Sequence, residues 1–393
     1  MGRFRDALAG DGLAAIAEVK RRSPSAGDLR PDADPARIAA QFAAAGAAAV
    51  SILVDERFAG SVDDLRAARA ATPLPLLAKG FFRDEAQLRE LREAGADAVL
   101  LILRDLDDAT AARLQTVAHE LGMDALVEAH DAEELERATS LDAEIVGVNA
   151  RDLQTFAIDR RTQLELVARA AKAACQQPAP RDRVVVAESA IHTRAQGAAA
   201  ELAGADAILV GSALMRAPDP PAKLGEILSR PLVKVCGLTR QEDVDAAVEA
   251  GADMCGFIFA ETPRRAPAVL DVPDDVLSVA VYVGEPEENE ADLVQLYEGA
   301  DGRPRGRDAV LLREGEQVAR VVDLPWEQTD PLHLQRAAET QGRVVLAGRL
   351  GPDNVRAAIE AVHPWAVDAA SRLEREPGIK DHDKVRAFVR CAR

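Results

Sequence analysis

Eight short apolar runs, each followed by a segment with helical periodicity, recur over the first half of this chain, and no other feature restricts its fold so strongly. The runs are residues 14–19, 48–54, 74–78, 98–103, 125–127, 145–148, 184–187 and 207–210, and helical patterns such as 35–45, 84–94, 109–121 and 160–174 lie between them. The phrase Ala-Gly-Ala recurs at Ala45-Gly46-Ala47, Ala94-Gly95-Ala96, Ala203-Gly204-Ala205 and Ala250-Gly251-Ala252, and in three cases an aspartate follows: Asp97, Asp206 and Asp253. Such a phrase predicts a helix that ends on a left-handed glycine and turns directly into the next strand. Eight units of this kind in about 215 residues predict a closed (βα)8 barrel of the TIM type, whose chemistry gathers at the C-terminal ends of its strands.

At 393 residues the chain is too long for one such barrel. A second series of apolar runs, 232–235, 254–259, 278–283, 309–312, 318–322, 343–347 and 365–369, numbers seven. The predicted architecture is therefore α/β, with two fused (βα)8 barrels over residues 1–229 and 230–393, the second shortened by about one βα unit. Residues 285–307, rich in Glu, Gly and Arg, read as a long helix with a loop.

The formal net charge of −18 argues against nucleic-acid or anionic-membrane partners, and two Trp with two Tyr make no base-stacking surface. No apolar run approaches a membrane span, and residues 1–12 carry no signal-peptide pattern, so a cytoplasmic location is expected. Cys175, Cys236, Cys255 and Cys391 lack metal-type spacing and suit a reducing compartment. None of the six histidines is placed in a ligand pattern.

The predicted strand ends carry a consistent set of groups. The first ends on Glu18 and Lys20, which alternation places on one face; alone, the pair reads equally well as a structural ion pair. Later strands end on Lys79, Glu128, Asn149 with Arg151, Glu188 with Ser189, and Gly211 with Ser212. So many ionisable groups at one rim predict an active site.

The blocks IAEVKRRSPS, SILVDERFAGS, LLAKGFF, LVEAH, VGVNARDL, VVVAES and ILVGSALM resemble indole-3-glycerol-phosphate synthase, in order, over residues 13–216. The resemblance implies ring closure of a carboxyphenylamino-deoxyribulose phosphate with loss of carbon dioxide and water. By the same analogy Lys79 and Lys20 supply cationic acids, Glu128 and Glu18 act as base and partner acid, and Glu188 and Asn149 orient the substrate hydroxyls. Phosphate would lie on Ser189, Gly211 and Ser212, with Arg151 and Ser23 nearby. No metal or organic cofactor is called for. Three departures predict weaker substrate affinity with the chemistry retained: Gly80 stands where the family has Asp, Ala190 where it has Gly, and only residues 2–10 precede the first strand where the family has extra helices.

The second half resembles phosphoribosylanthranilate isomerase in VKVCGLTR, AGADMCGFIFAETPRRA, VAVYVGE, VVLAGRLGPDNVRAAIE and WAVDAASRLEREPGIKD. The resemblance implies that Cys236 is the general base, Arg265 a substrate-binding arginine and Asp368 a carboxylate near the aromatic ring. The aspartate-bearing strand of the family is not visible, and Asp323 is the nearby substitute for its acid. Arg349 and Ala370-Ser371-Arg372 alter the phosphate loops. Three functions follow: a bifunctional enzyme, an active synthase with a degenerate second barrel, or a Schiff-base sugar-phosphate aldolase using Lys79 or Lys20. The substrates in the first two are small phosphorylated sugar-anthranilate compounds, and the sequence sets no oligomeric state.

Overall fold

A computed structural model describes residues 2–10, 12–24, 27–151, 157–175, 183–300, 303–324 and 329–393. The chain divides into two compact units, one of residues 1–193 with 197–228 and one of residues 194–196 with 229–393.

The first unit is built on a closed barrel of eight strands. They are β1 (Ala14–Val19), β2 (Ala49–Leu53), β3 (Leu76–Lys79), β4 (Ala98–Ile102), β5 (Asp124–Ala129), β6 (Ile145–Asn149), β7 (Val184–Glu188) and β8 (Ala207–Val210). All neighbours pair in parallel, and β8 closes on β1. The predicted runs fall within about two residues of these strands, because continuous apolar sequence is what a strand covered on both faces requires.

The repeated phrase has a structural cause. Gly46, Gly95, Gly204 and Gly251 all adopt φ between 91° and 102°, where a side chain would be strained. The aspartates that follow reach back to the preceding strand: Asp97 accepts from the Leu76 N–H at 2.9 Å, Asp206 from Val185 at 2.9 Å and Asp253 from Val233 at 2.8 Å. Each carboxylate thus satisfies a strand-start donor that the ladder leaves open.

Inside the barrel, Ile16, Ala49, Leu77, Leu100, Leu126, Ile145, Val186 and Leu209 form an apolar plug. The helix Arg3–Leu8 closes the lower end, with Phe4 and Leu8 fully buried in the same cluster. Asp124 anchors that helix by accepting from the Phe4 and Arg5 N–H groups at 3.0 Å each. One end of the barrel is therefore sealed and apolar, and the polar residues collect at the other.

The second unit is also a closed eight-stranded barrel. Its strands are β9 (Leu232–Cys236), β10 (Met254–Ile258), β11 (Leu277–Val283), β12 (Leu293–Ala300), β13 (Arg303–Arg313), β14 (Glu316–Val322), β15 (Val344–Leu346) and β16 (Ala366–Ala369). The helix predicted within 285–307 is replaced by β12 and the start of β13; residues 301–302 of that span lie outside the described residues. Charged residues hid an alternation in which Leu293 and Gln295 are buried while their neighbours are not. The strand count is complete, and the shortening falls on helices. β12, β13 and β14 pair antiparallel, and Glu314-Gly315, both at positive φ, turn directly from β13 to β14. Among the described residues no helix is long and apolar enough to cross a membrane.

Candidate active site

Alternation along β1 turns Glu18 toward the barrel axis, and its partner in register on β2 is Ser51. The Glu18 carboxylate is bonded to Lys20 Nζ at 2.6 Å and lies 3.5 Å from Lys79 Nζ. Lys79, at the end of β3, is the hub: its Nζ donates to Glu188 Oε2 at 2.6 Å and lies 3.9 Å from Glu128 Oε2. Four strands therefore deliver one amine and three carboxylates to one point.

Two glycines make room for this crowd. A Cβ on Gly147 would stand 2.1 Å from Glu188 Oε1, and one on Gly211 would stand 2.1 Å from Glu18 Oε1. Gly147→Ala is expected to drive Glu188 off Lys79 and lower turnover about 100-fold, since misplacement by about 1 Å costs that much. Turnover at saturating substrate, with circular dichroism as the check on folding, measures it.

Burial opposes charge on every member, and the outcome depends on how many opposite charges each one faces. Burial would push Glu18 up, but Lys20 and Lys79 reverse this and hold it below the ordinary carboxylate range. Burial works against the Lys79 ammonium, yet Glu188, Glu18 and Glu128 raise its pKa well above the usual lysine value. Glu128 and Glu188 titrate as a pair. Burial raises Glu188 and the nearby Glu128 charge adds to this, with Lys79 alone in opposition. Burial also opposes Glu128, but there His130 joins Lys79, and the net shift is downward.

Above this cluster opens a cavity of about 700 Å³. Glu18, Lys20, Ser23, Lys79, Glu128, Asn149, Arg151, Ser189, Gly211 and Ser212 all line it, so ten of the eleven first-half candidates share one space. The eleventh, Glu188, is fully buried beneath the floor, bonded to Lys79. Asn149 Oδ1 accepts from the Arg151 N–H at 3.0 Å, which fixes the turn after β6. At the end of the adjacent strand Ser189 and Ala190 both hold positive φ, 68° and 55°, so Ala190 occupies backbone suited to the Gly the family pattern has there. Gly80 lies beside the Phe82 ring, 3.0 Å from an added Cβ.

In the second barrel, Lys234 and Cys236 share the inward face of β9. Lys234 Nζ is bonded to Asp368 Oδ2 on β16 at 2.7 Å and to Gln295 Oε1 on β12 at 2.9 Å. Gln295 donates to the Tyr297 hydroxyl at 2.9 Å, and that hydroxyl donates to Asp323 Oδ2 at 2.8 Å. Asp323 follows β14 directly. Burial raises the Asp323 carboxyl, with Tyr297 opposing. Burial likewise raises the Cys236 thiol, with Lys234 opposing. Arg265 stands apart from this buried network, half exposed and paired with Glu261. Its neighbour Arg264 binds Glu374 at 2.9 Å, which in turn holds the buried Lys380 at 3.1 Å. Of the altered phosphate loops, Arg349 has φ 57°, and Arg372 donates to its carbonyl at 3.2 Å and to Asp353 at 2.8 Å.

Residues 2–227 match the family model of indole-3-glycerol phosphate synthase. The chain belongs to the indole-3-glycerol phosphate synthase family. The synthase of Albidiferax ferrireducens is 46% identical over 58% of this chain and 83% of its own length. Residues 327–391 match the model of N-(5'phosphoribosyl)anthranilate isomerase. The tryptophan biosynthesis protein TrpCF of Yersinia pestis is 34% identical over 99% of this chain and 87% of its own. A solved phosphoribosyl anthranilate isomerase from Thermus thermophilus is 27% identical over 41% of this chain and 98% of that one, with a TM-score of 0.34. The chain is thus a tryptophan-biosynthesis enzyme with a synthase domain and an isomerase domain in one polypeptide.

Sequence reasoning missed several groups in this synthase-isomerase. His130 was passed over with the other histidines, although it lies two residues beyond Glu128, the spacing that keeps a side chain on the same face. Gly147, Gln295, Lys234 and Tyr297 were also missed. Alternation within β9 and β12 was the available signal for the last three.

Proposed function

We propose that the first barrel, residues 1–229, closes the ring of a carboxyphenylamino-deoxyribulose phosphate and releases carbon dioxide and water. The single observation carrying this reading is Lys79, whose ammonium lies within 3.9 Å of carboxylates from three other strands on the floor of one cavity. Lys79 protonates the sugar carbonyl oxygen as the carboxylate-bearing aromatic carbon attacks, and loss of carbon dioxide from that carbon restores the aromatic ring. When the new hydroxyl then leaves as water, a carboxylate takes a proton from the methylene carbon beside nitrogen as the ring double bond forms. Lys20, paired with Glu18, assists departure of the hydroxyl as water. Glu128 is the base, and Asn149 orients a substrate hydroxyl. The fully buried position of Glu188 supports a role in holding Lys79 rather than in touching substrate. The phosphate is received by Ser189, Gly211 and Ser212, with Arg151 and Ser23 on the same wall.

The second barrel, residues 230–393, isomerises the preceding phosphoribosyl compound. Cys236 removes the sugar proton, Asp323 is the acid, Asp368 lies toward the aromatic ring, and Arg265 closes on the substrate from the rim. The complete strand count and the linked Lys234–Gln295–Tyr297–Asp323 side chains support an active site over a degenerate one. An amine held charged by buried carboxyl groups is a poor Schiff-base nucleophile, which weighs against the aldolase reading. The same reading places the enzyme in the cytoplasm without nucleic-acid or membrane partners.

Incubating the purified chain with the carboxyphenylamino compound should yield an indole product with one carbon dioxide per turnover. Absence of both, with the substrate recovered intact, would overturn the synthase reading.

A further inference from the structure

We infer that His130 is a positioning residue that selects Glu128 over Glu188 as the proton acceptor in ring closure; the inference rests on the synthase reading above. β5 ends at Ala129, and one more step places His130 on the Glu128 side, with its side chain only 2% exposed. Its Nε2 lies 3.2 Å from Glu128 Oε1 and its Nδ1 lies 3.0 Å from Glu134 Oε2. Nδ1 is thus hydrogen-bonded to one carboxylate, while Nε2 lies within ion-pairing distance of another without a hydrogen bond, an arrangement that suits an imidazolium and leaves a neutral ring with one nitrogen against an acceptor.

Glu134 is itself fixed. It belongs to the helix Ala132–Ser140 and accepts from the His130 backbone N–H at 2.8 Å and from Arg104 Nε at 2.8 Å. Arg104 also lies 3.3 Å from Asp131, the residue that caps this helix. The clamp therefore runs from the wall of the cavity, through Arg104, Glu134 and His130, to the carboxylate proposed as base.

From the other strands, Lys79 on β3 and Glu188 on β7 face Glu128, and Glu18 on β1 acts through Lys79. Glu128 Oε2 and Glu188 Oε1 are both buried without a hydrogen-bond partner, and the two side chains interact. One proton held between them would satisfy both oxygens. Lys79 hydrogen-bonds Glu188 at 2.6 Å and lies 3.9 Å from Glu128, so by itself it favours ionisation of Glu188. His130 opposes that bias, because of these two carboxylates it lies against Glu128: the proton then stays with Glu188, and Glu128 is left ionised to receive the one released in the reaction. Burial lowers the His130 pKa, but Glu128 and Glu134 outweigh it and raise the pKa to about 9, so the imidazolium persists through neutral pH.

The test is the pH profile of synthase turnover in the full chain with His130→Asn, which keeps a polar side chain and removes the charge. The acid limb of kcat is expected to move up by about three pH units or more, with turnover at pH 6.5 down tenfold or more and KM within threefold. A loss that is uniform with pH, with the limb unmoved, would mean that His130 is only a clasp between strand and helix and would overturn the inference. Should that variant fail to fold, the unaltered chain carrying ¹⁵N-labelled histidine decides by NMR. One imidazole of the six should remain doubly protonated at pH 8, and six neutral rings would overturn the inference. Failure of the synthase reading shows up separately, as no indole product from the unaltered chain.

Discussion

Replacing Lys79 with alanine is expected to lower indole-ring formation at least about 1000-fold while leaving isomerase turnover within twofold. The loss combines a general acid, worth about 10²–10⁴, with the charge stabilisation that a buried ammonium gives to the developing oxyanion. It also strands Glu18, Glu128 and Glu188 around an unfilled centre, so at least one of them must take up a proton to remain buried. Lys79→Arg separates charge from geometry. It restores a cation, but the planar guanidinium cannot occupy the point where three strands meet, and turnover should stay at least tenfold down. Progress curves for each half-reaction on the same preparations provide the measurement. Ring closure unaffected by Lys79→Ala would remove the centre of the proposed mechanism.

The second large effect is expected at Cys236. Alanine there should abolish phosphoribosylanthranilate isomerisation, by at least about 1000-fold, and leave ring closure unchanged, because the residue lies in the other barrel's network. A pH dependence accompanies it. Burial holds the thiol above its ordinary range despite Lys234, so the thiolate needed as base is scarce at neutral pH and accumulates as pH rises. The isomerase kcat/KM should accordingly climb from pH 7 into the alkaline range, reporting the free enzyme. Isomerase turnover that survives Cys236→Ala would return the second barrel to a structural role.

Much of the first barrel was legible because its periodicities are redundant. Every strand is covered on both faces, so each reads as an apolar run, and the left-handed Gly46, Gly95 and Gly204 mark where helices stop. The second barrel was less legible for the converse reason. Where β12, β13 and β14 run antiparallel, with no helix between them among the described residues, their sequences alternate and carry charge, and β12 does not read as the strand it is.

The amino-acid sequence by itself determined which groups end the strands, because alternation with period two and the βα repeat leave a residue such as Glu18, Lys79 or Glu128 no other place to point. Only the tertiary structure decided their states. Whether a buried carboxyl keeps its proton depends on how many cations stand within a few ångströms, and those cations come from strands far apart in the chain. Glu128 meets both Lys79 and His130 and is held ionised; Glu188, bonded to the same Lys79 but without a second cation, is pushed the other way.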